Sequence, residues 1–157
     1  MKNIIIAATI IGMDQLAKCC IRYLPIGVSC FELSGILRIT HYTNTGAAFS
    51  IFSEHTMLLA AASLLLMTGI VIFAWRKMNL TKAALSAYAC LIGGGLSNLV
   101  DRICFGGVTD YIEMSMISFP VFNLADVAIT LSIAALLLMT LMGKLEITTG
   151  EDHGGKD

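Results

Sequence analysis

The chain has 157 residues, 57% of them hydrophobic and 13% charged, with a formal net charge of −1. Soluble domains carry about 25% charged residues, so this composition excludes an ordinary soluble domain, and the small net charge offers no bulk attraction to nucleic acid. The length suits one membrane-embedded domain covering 1–157.

After Lys2 an apolar run covers 3–13. It has the outline of a signal peptide, and Leu16-Ala17-Lys18-Cys19 hints at a lipoprotein cleavage box, but Lys18 stands where a small residue is needed and Asp14 interrupts the run. A first membrane helix over 3–23 fits better, with Pro25 just beyond it. Asp14 and Lys18 are four apart and share a helix face. Unpaired, each would cost about 3 kcal/mol or more at the bilayer centre, so they form a helix-packing ion pair or act near a functional site.

Residues 24–55 are too polar to span. Leu37-Arg38-Ile39-Thr40-His41-Tyr42 alternates like a half-buried strand. Asn44-Thr45-Gly46-Ala47-Ala48-Phe49 follows, with Asn and Gly marking a turn. The uncharged stretch 56–75 crosses a bilayer core of about 30 Å at about 1.5 Å per residue, and Trp75 suits an interface anchor. Arg76, Lys77 and Lys82 make a basic connection.

A third span covers 83–100. Ala89, Gly93 and Ser97 recur at four-residue spacing, the small-x-x-x-small pattern of close helix contact. Packing does not account for Asn98, Asp101 and Arg102, which share a face. Gly106-Gly107 reads as a turn and 108–112 as a short strand carrying Asp110. The fourth span covers 121–143, with Asn123, Asp126 and Thr130 on one face, and a polar tail occupies 144–157.

Lys2, Arg76, Lys77, Lys82 and Lys144 fall on one side of these spans, and Arg22, Arg38 and Arg102 on the other. The positive-inside rule puts both termini in the cytoplasm. Asn44, Asp101, Asp110 and Asp126 then gather at the outer face. The five cysteines have no metal-ligand spacing and read as small apolar residues, although Cys30 and Cys104 both fall in outer segments and their pairing stays open. The three histidines are scattered, so neither metal nor cofactor is expected.

An ionisable residue in a span marks function by default. Two carboxylates led to one surface from different segments, Asp110 and Asp126, suit acid–base chemistry. Close carboxylates do not readily both ionise, so one keeps a proton while the other activates water.

The motifs closely resemble those of the lipoprotein signal peptidases, also called signal peptidase II. Asp14-Gln15-Leu16-Ala17-Lys18 resembles the family's first-helix motif and Asn44-Thr45-Gly46-Ala47-Ala48-Phe49 its N-x-G-A-A-F segment. Residues 93–102 resemble G-G-x-x-x-N-x-x-D-R, and Phe122-Asn123-Leu124-Ala125-Asp126 resembles F-N-x-A-D. Val108-Thr109-Asp110-Tyr111 resembles V-V-D-F, with Thr109 and Tyr111 as departures. The resemblance covers the chain to about residue 143. It implies a membrane aspartic endopeptidase of the bacterial inner membrane, with four transmembrane helices and a small extracytoplasmic sheet on the outer membrane surface; a monomer is the expectation for the chain, not part of the resemblance. The resemblance implies cleavage of prolipoproteins just before a diacylglyceryl-modified cysteine. Asp110 and Asp126 match the dyad. Asn44, Gly46, Asn98, Arg102, Asn123 and Ala125 match positions that hold substrate or support the acids, and Asp14, Lys18 and Asp101 belong to the same motifs. Substrate and membrane lipids are the implied partners. The rival reading is a small proton-coupled transporter, since intramembrane carboxylates also relay protons.

Overall fold

A computed structural model of the chain describes residues 1–46, 55–77 and 80–145. Ala47, Ala48 and Phe49, the tail beyond 145 and the side chain of Trp75 lie outside the described residues. Four helices and three strands run in the order α1 (Lys2–Ile21), β1 (Ser29–Leu33), β2 (Leu37–Asn44), α2 (Thr56–Lys77), α3 (Lys82–Phe105), β3 (Val108–Met114) and α4 (Leu124–Leu141). All four helices are long and apolar enough to cross a membrane.

Helix ends are set by local chemistry. Thr81 opens α3 by accepting a hydrogen bond from the Ala84 N–H at 3.2 Å, and Gly106 closes it in the left-handed conformation at φ 72°. Helix α3 therefore continues past the expected end at Val100, and Asp101 and Arg102 are helical. Helix α4 starts at Leu124, later than expected, because Phe122 bridges to Ile112 and Asn123 is the N-cap.

In lipid, helices gain little by hiding apolar surface from one another, so close packing and polar contacts hold the bundle. Helix α3 is the central element: half of its apolar window is buried, against 11–17% for the other three helices. Its glycine run explains how. Consecutive helical residues point about 100° apart, so three glycines meet three neighbours. A Cβ on Gly93 would stand 2.9 Å from the Ala7 carbonyl oxygen in α1. One on Gly94 would stand 2.7 Å from the Ala125 carbonyl oxygen in α4, and one on Gly95 would strike Met67 Sδ in α2. The expected Ala89–Gly93–Ser97 stripe captures only the contact with α1.

The strands form one antiparallel sheet, β1–β2–β3. It sits where α1 and α3 end and α2 and α4 begin, so it caps one end of the bundle. Glu32, Arg38 and Glu113 are cross-strand partners on one face, and Phe31, Ile39 and Ile112 on the other. The register shifts between Ile39 and Tyr42 and then pairs Tyr42 with Asp110 and Asn44 with Val108. His41, inside that irregularity, bonds through Nδ1 to the Leu24 carbonyl at 2.6 Å, so its role is to hold the connection after α1. Strand β1 was not anticipated from the sequence. All five cysteines are free, and Cys30 and Cys104 are exposed and unpaired.

Candidate active site

The site is built around the start of α4. A helix leaves its first N–H groups without intrahelical partners, and in a membrane no water compensates. Here every one is taken. Leu124 N–H donates to Tyr111 Oη at 3.2 Å and Ala125 N–H to Asp14 Oδ1 at 3.0 Å. Asp126 N–H donates to Asn123 Oδ1 at 2.9 Å, and Val127 N–H to the Asn123 carbonyl at 3.2 Å. Asp126 Oδ2 in turn accepts from the Asn123 N–H at 3.2 Å, completing a capping box. Its other oxygen, Oδ1, accepts from Asn98 Nδ2 of α3 at 2.8 Å. Asp126 is therefore a helix-capping carboxylate with its second oxygen tied to another helix.

Asp110 lies within β3, only 3% exposed. Its Oδ1 accepts from Asn123 Nδ2 at 2.7 Å and its Oδ2 from Asn44 Nδ2 at 3.0 Å. Three asparagines from three segments thus each aim an NH2 group at a carboxylate. Each also accepts an N–H on its own oxygen: Asn44 from Gly46 N at 3.0 Å, Asn98 from Lys18 Nζ at 2.7 Å, and Asn123 from Asp126 N. Those donors fix which way each amide faces. Burial pushes the Asp110 carboxyl up to about 7, and the Asp126 charge adds to the rise, against the donors Asn44 and Asn123 and the Lys18 charge. Burial likewise pushes the Tyr111 hydroxyl up to about 12, so it stays protonated.

Asp110 stands between two cavities that share Asn44, Phe119, Pro120 and Val121. One, of about 440 Å³, runs along Tyr42, Thr43, Thr45, Gly46 and Ser118. The other, of about 510 Å³, holds Asp126, Asn98 and Arg102 and extends over Phe122, Val127 and Leu131. A polar cavity and an apolar groove therefore meet at Asp110, and Asp126 lines the apolar one.

Behind the cavities lies a buried ionic cluster. Lys18 Nζ pairs with Asp14 Oδ2 at 2.7 Å and Asp101 Oδ2 at 3.1 Å, and Arg22 Nη2 with Asp101 Oδ1 at 2.6 Å. Two acids balance two bases, which makes the burial tolerable. Gln15 Nε2 donates to Asp101 Oδ1 at 2.8 Å, Ser97 Oγ to Asp14 Oδ2 at 2.7 Å, and the Thr109 N–H to Asp101 Oδ2 at 2.9 Å. The cluster ties α1, α3 and β3 together. The Arg22 guanidinium also lies 3.8 Å from the Phe105 ring centre.

Of the residues singled out in the sequence, Asn44, Asn98, Arg102, Asp110 and Asp126 line the larger cavity, and Asn123 joins both carboxylates from behind. Gly46 lines the smaller one. Arg102 Nη1 donates to the Asn98 carbonyl at 3.3 Å, and its buried Nε has no hydrogen-bond partner among the described residues. Asp14, Lys18, Asp101 and Ala125 line neither cavity and act from behind; Asp14 and Lys18 do form the expected ion pair. Sequence reasoning placed none of Gln15, Arg22, Thr109 and Tyr111 in the site. Two signals were available. Thr109 and Tyr111 depart from V-V-D-F, and their hydroxyls make bonds that Val and Phe lack: Thr109 Oγ1 accepts from Arg22 Nε at 2.9 Å, and Tyr111 Oη from Leu124.

Comparison with known proteins bears on this geometry. A family model described as signal peptidase (SPase) II matches residues 6–142. The chain is 41% identical over 127 residues to a lipoprotein signal peptidase of Synechocystis sp., covering 80% of this chain and 78% of that one. It is 36% identical over 135 residues to a lipoprotein signal peptidase of Brevibacillus brevis, covering 85% and 91%. A solved bacterial membrane enzyme, obtained by the in meso method at 2.3 Å resolution, superposes with TM-score 0.83 at 25% identity, over 99% of this chain and 94% of the other.

Proposed function

The chain belongs to the signal peptidase II family, and from that premise we propose an aspartic endopeptidase whose dyad is Asp110 and Asp126. It is a multi-pass bacterial membrane protein that removes signal peptides from prolipoproteins. The proton-coupled transporter is not favoured, because these relatives are lipoprotein signal peptidases.

One observation carries the aspartic reading. Two carboxylates from separate segments are held by three asparagine amides where a polar and an apolar cavity meet. With its carboxyl raised to about 7, Asp110 is partly protonated at neutral pH, and the form in which the pair holds one proton between two acids is the reactive one. The ionised member takes a proton from water as the water oxygen bonds to the scissile carbonyl carbon. The protonated member donates to the carbonyl oxygen. Collapse of the tetrahedral intermediate breaks the C–N bond, and the departing amine of the lipid-modified cysteine takes up a proton. The scissile bond lies beside a lipid anchor and so at the interface. The groove over Phe122, Val127 and Leu131 suits acyl chains, and Arg102 and the asparagines suit ester and peptide groups. In this reading the chain is one domain that works as a monomer, with both termini cytoplasmic and the site at the outer face.

The test is cleavage of a purified prolipoprotein with and without its diacylglyceryl group. Cleavage before the cysteine of the lipid-modified form supports the reading. Equal cleavage of the unmodified form contradicts the role of the apolar groove.

A further inference from the structure

Lys18 is fully buried, lines neither cavity, and is too far back to meet substrate. An ammonium has three protons to donate, and here each has an acceptor: Asp14 Oδ2, Asp101 Oδ2 and Asn98 Oδ1. The two aspartates explain how the charge is tolerated. They do not require the third bond, which reaches across to the one asparagine of α3 that touches Asp126.

An asparagine side chain has two faces of nearly identical shape and opposite polarity. With its oxygen toward Lys18, Asn98 offers an NH2 group to Asp126 Oδ1 at 2.8 Å. Turned over, it would set an oxygen against that carboxylate and an NH2 against the ammonium, and both bonds would be lost. Asn123 Nδ2 also donates to Asn98 Oδ1, at 3.2 Å, with the hydrogen not used in its 2.7 Å bond to Asp110; it is the longer and uncharged donor, against 2.7 Å from the Lys18 ammonium. The charged groups around this point are Asp14 and Lys18 on α1, Arg22 just beyond it, Asp101 and Arg102 on α3, Asp110 with the Tyr111 hydroxyl on β3, and Asp126 on α4. Of these, only Lys18 donates to the Asn98 oxygen.

We propose that Lys18 is a positioning residue for the reaction: its ammonium locks the Asn98 amide so that the NH2 group of Asn98 holds Asp126 in place. The proposal rests on the assignment of Asp126 to the dyad. It gives the buried cation a kinetic role separate from its role in holding α1 to α3.

The experiment is a double-mutant cycle with Lys18→Met and Asn98→Ala. Steady-state turnover of a lipid-modified prolipoprotein is measured in detergent over a range of substrate concentrations, at enzyme levels high enough to keep slow variants measurable, alongside the thermal midpoint. Lys18→Met should lower kcat by about 10- to 100-fold, as loss of an orienting group behind a site does, with KM little changed. In the Asn98→Ala background, where no amide remains to orient, it should lower kcat by less than about twofold. The thermal midpoint should fall by a similar amount in both backgrounds, because the contacts with Asp14 and Asp101 do not involve Asn98. A purely structural Lys18 predicts kcat losses that multiply, and that result overturns the proposal. If Lys18→Met does not fold, the cycle is run with Asp14→Asn/Lys18→Met, which leaves the neutral Asp101–Arg22 pair. An Asp126→Asn control separates the two levels. Retained turnover there defeats the dyad assignment; lost turnover with multiplying Lys18 and Asn98 effects defeats only the positioning role.

Discussion

Gly94→Ala adds one methyl group at the place where α3 meets α4, the helix that carries the proposed dyad residue Asp126. The new Cβ would lie 2.7 Å from the Ala125 carbonyl oxygen and 2.9 Å from Ile129 Cγ1. Ordinary contact begins at 3.4 Å, so α4 must retreat by about 0.7 Å at Ala125. The obstacle is backbone and cannot be relieved by a rotamer change. Asp126 is the next residue, and its bond to Asn98 spans this same interface. Overpacking costs about 1–3 kcal/mol, offset by about 1 kcal/mol of helix propensity gained by replacing glycine. Stability should fall by at most about 2 kcal/mol on balance. Activity should suffer more, because a misplacement approaching 1 Å at a catalytic group costs about 100-fold. Turnover and thermal stability in detergent are compared with Gly12→Ala, where a Cβ meets nothing within 4 Å. Gly94→Ala with near-normal turnover would refute the claim that this contact sets the position of Asp126.

Four further outcomes are expected. The raised Asp110 carboxyl gives kcat/KM an alkaline limb near pH 7, and Asn44→Ala, which removes a donor to the ionised form, should move that limb upward. Because the folded-state value is raised from 3.8 to about 7, the folded chain keeps a proton the unfolded chain loses between those values; stability therefore falls as pH rises through that window, and Asp110→Asn should flatten the fall. An impermeant thiol reagent on intact cells should label a cysteine introduced at His55 and spare one at Lys77, and the reverse pattern would invert the topology. Chelators and serine or thiol reagents should leave cleavage largely intact, with Cys104→Ala as the control for steric block by a thiol reagent at exposed Cys104; loss restored by zinc would contradict the aspartic mechanism.

The spans were legible because twenty-residue apolar runs have few alternatives in a chain this poor in charge. The polar residues near the span ends were legible as a group for the same reason: each is costly in lipid unless partnered. What the sequence hid was who partners whom. Arg22 read as a topological charge, yet it clamps Asp101 and Thr109 and covers Phe105. Lys18 read as a partner for Asp14 or as a group near a functional site, and its other partners stayed hidden, because an i,i+4 pair is visible along one helix while Asp101 and Asn98 lie far off in sequence. The glycine run read as one packing stripe because periodicity reports a single face, whereas three successive glycines face three helices. Strand β1 escaped because all five of its residues are exposed, so its apolar face follows no water-facing alternation. Tyr111 looked like a conservative departure, and its hydroxyl gains meaning only once Leu124 N–H is seen without another partner for it to satisfy.

The central claim is that Asp110 and Asp126 do the chemistry as a unit. It is tested most directly by the cleavage rate of a lipid-modified prolipoprotein by Asp110→Asn, Asp126→Asn and the double variant, each confirmed folded by its thermal midpoint. Asparagine keeps the shape and the hydrogen bonding but cannot take and return the proton. Each single change should remove nearly all turnover, and the double variant should be little worse than either. A well-folded Asp126→Asn enzyme with near-normal turnover would contradict the claim.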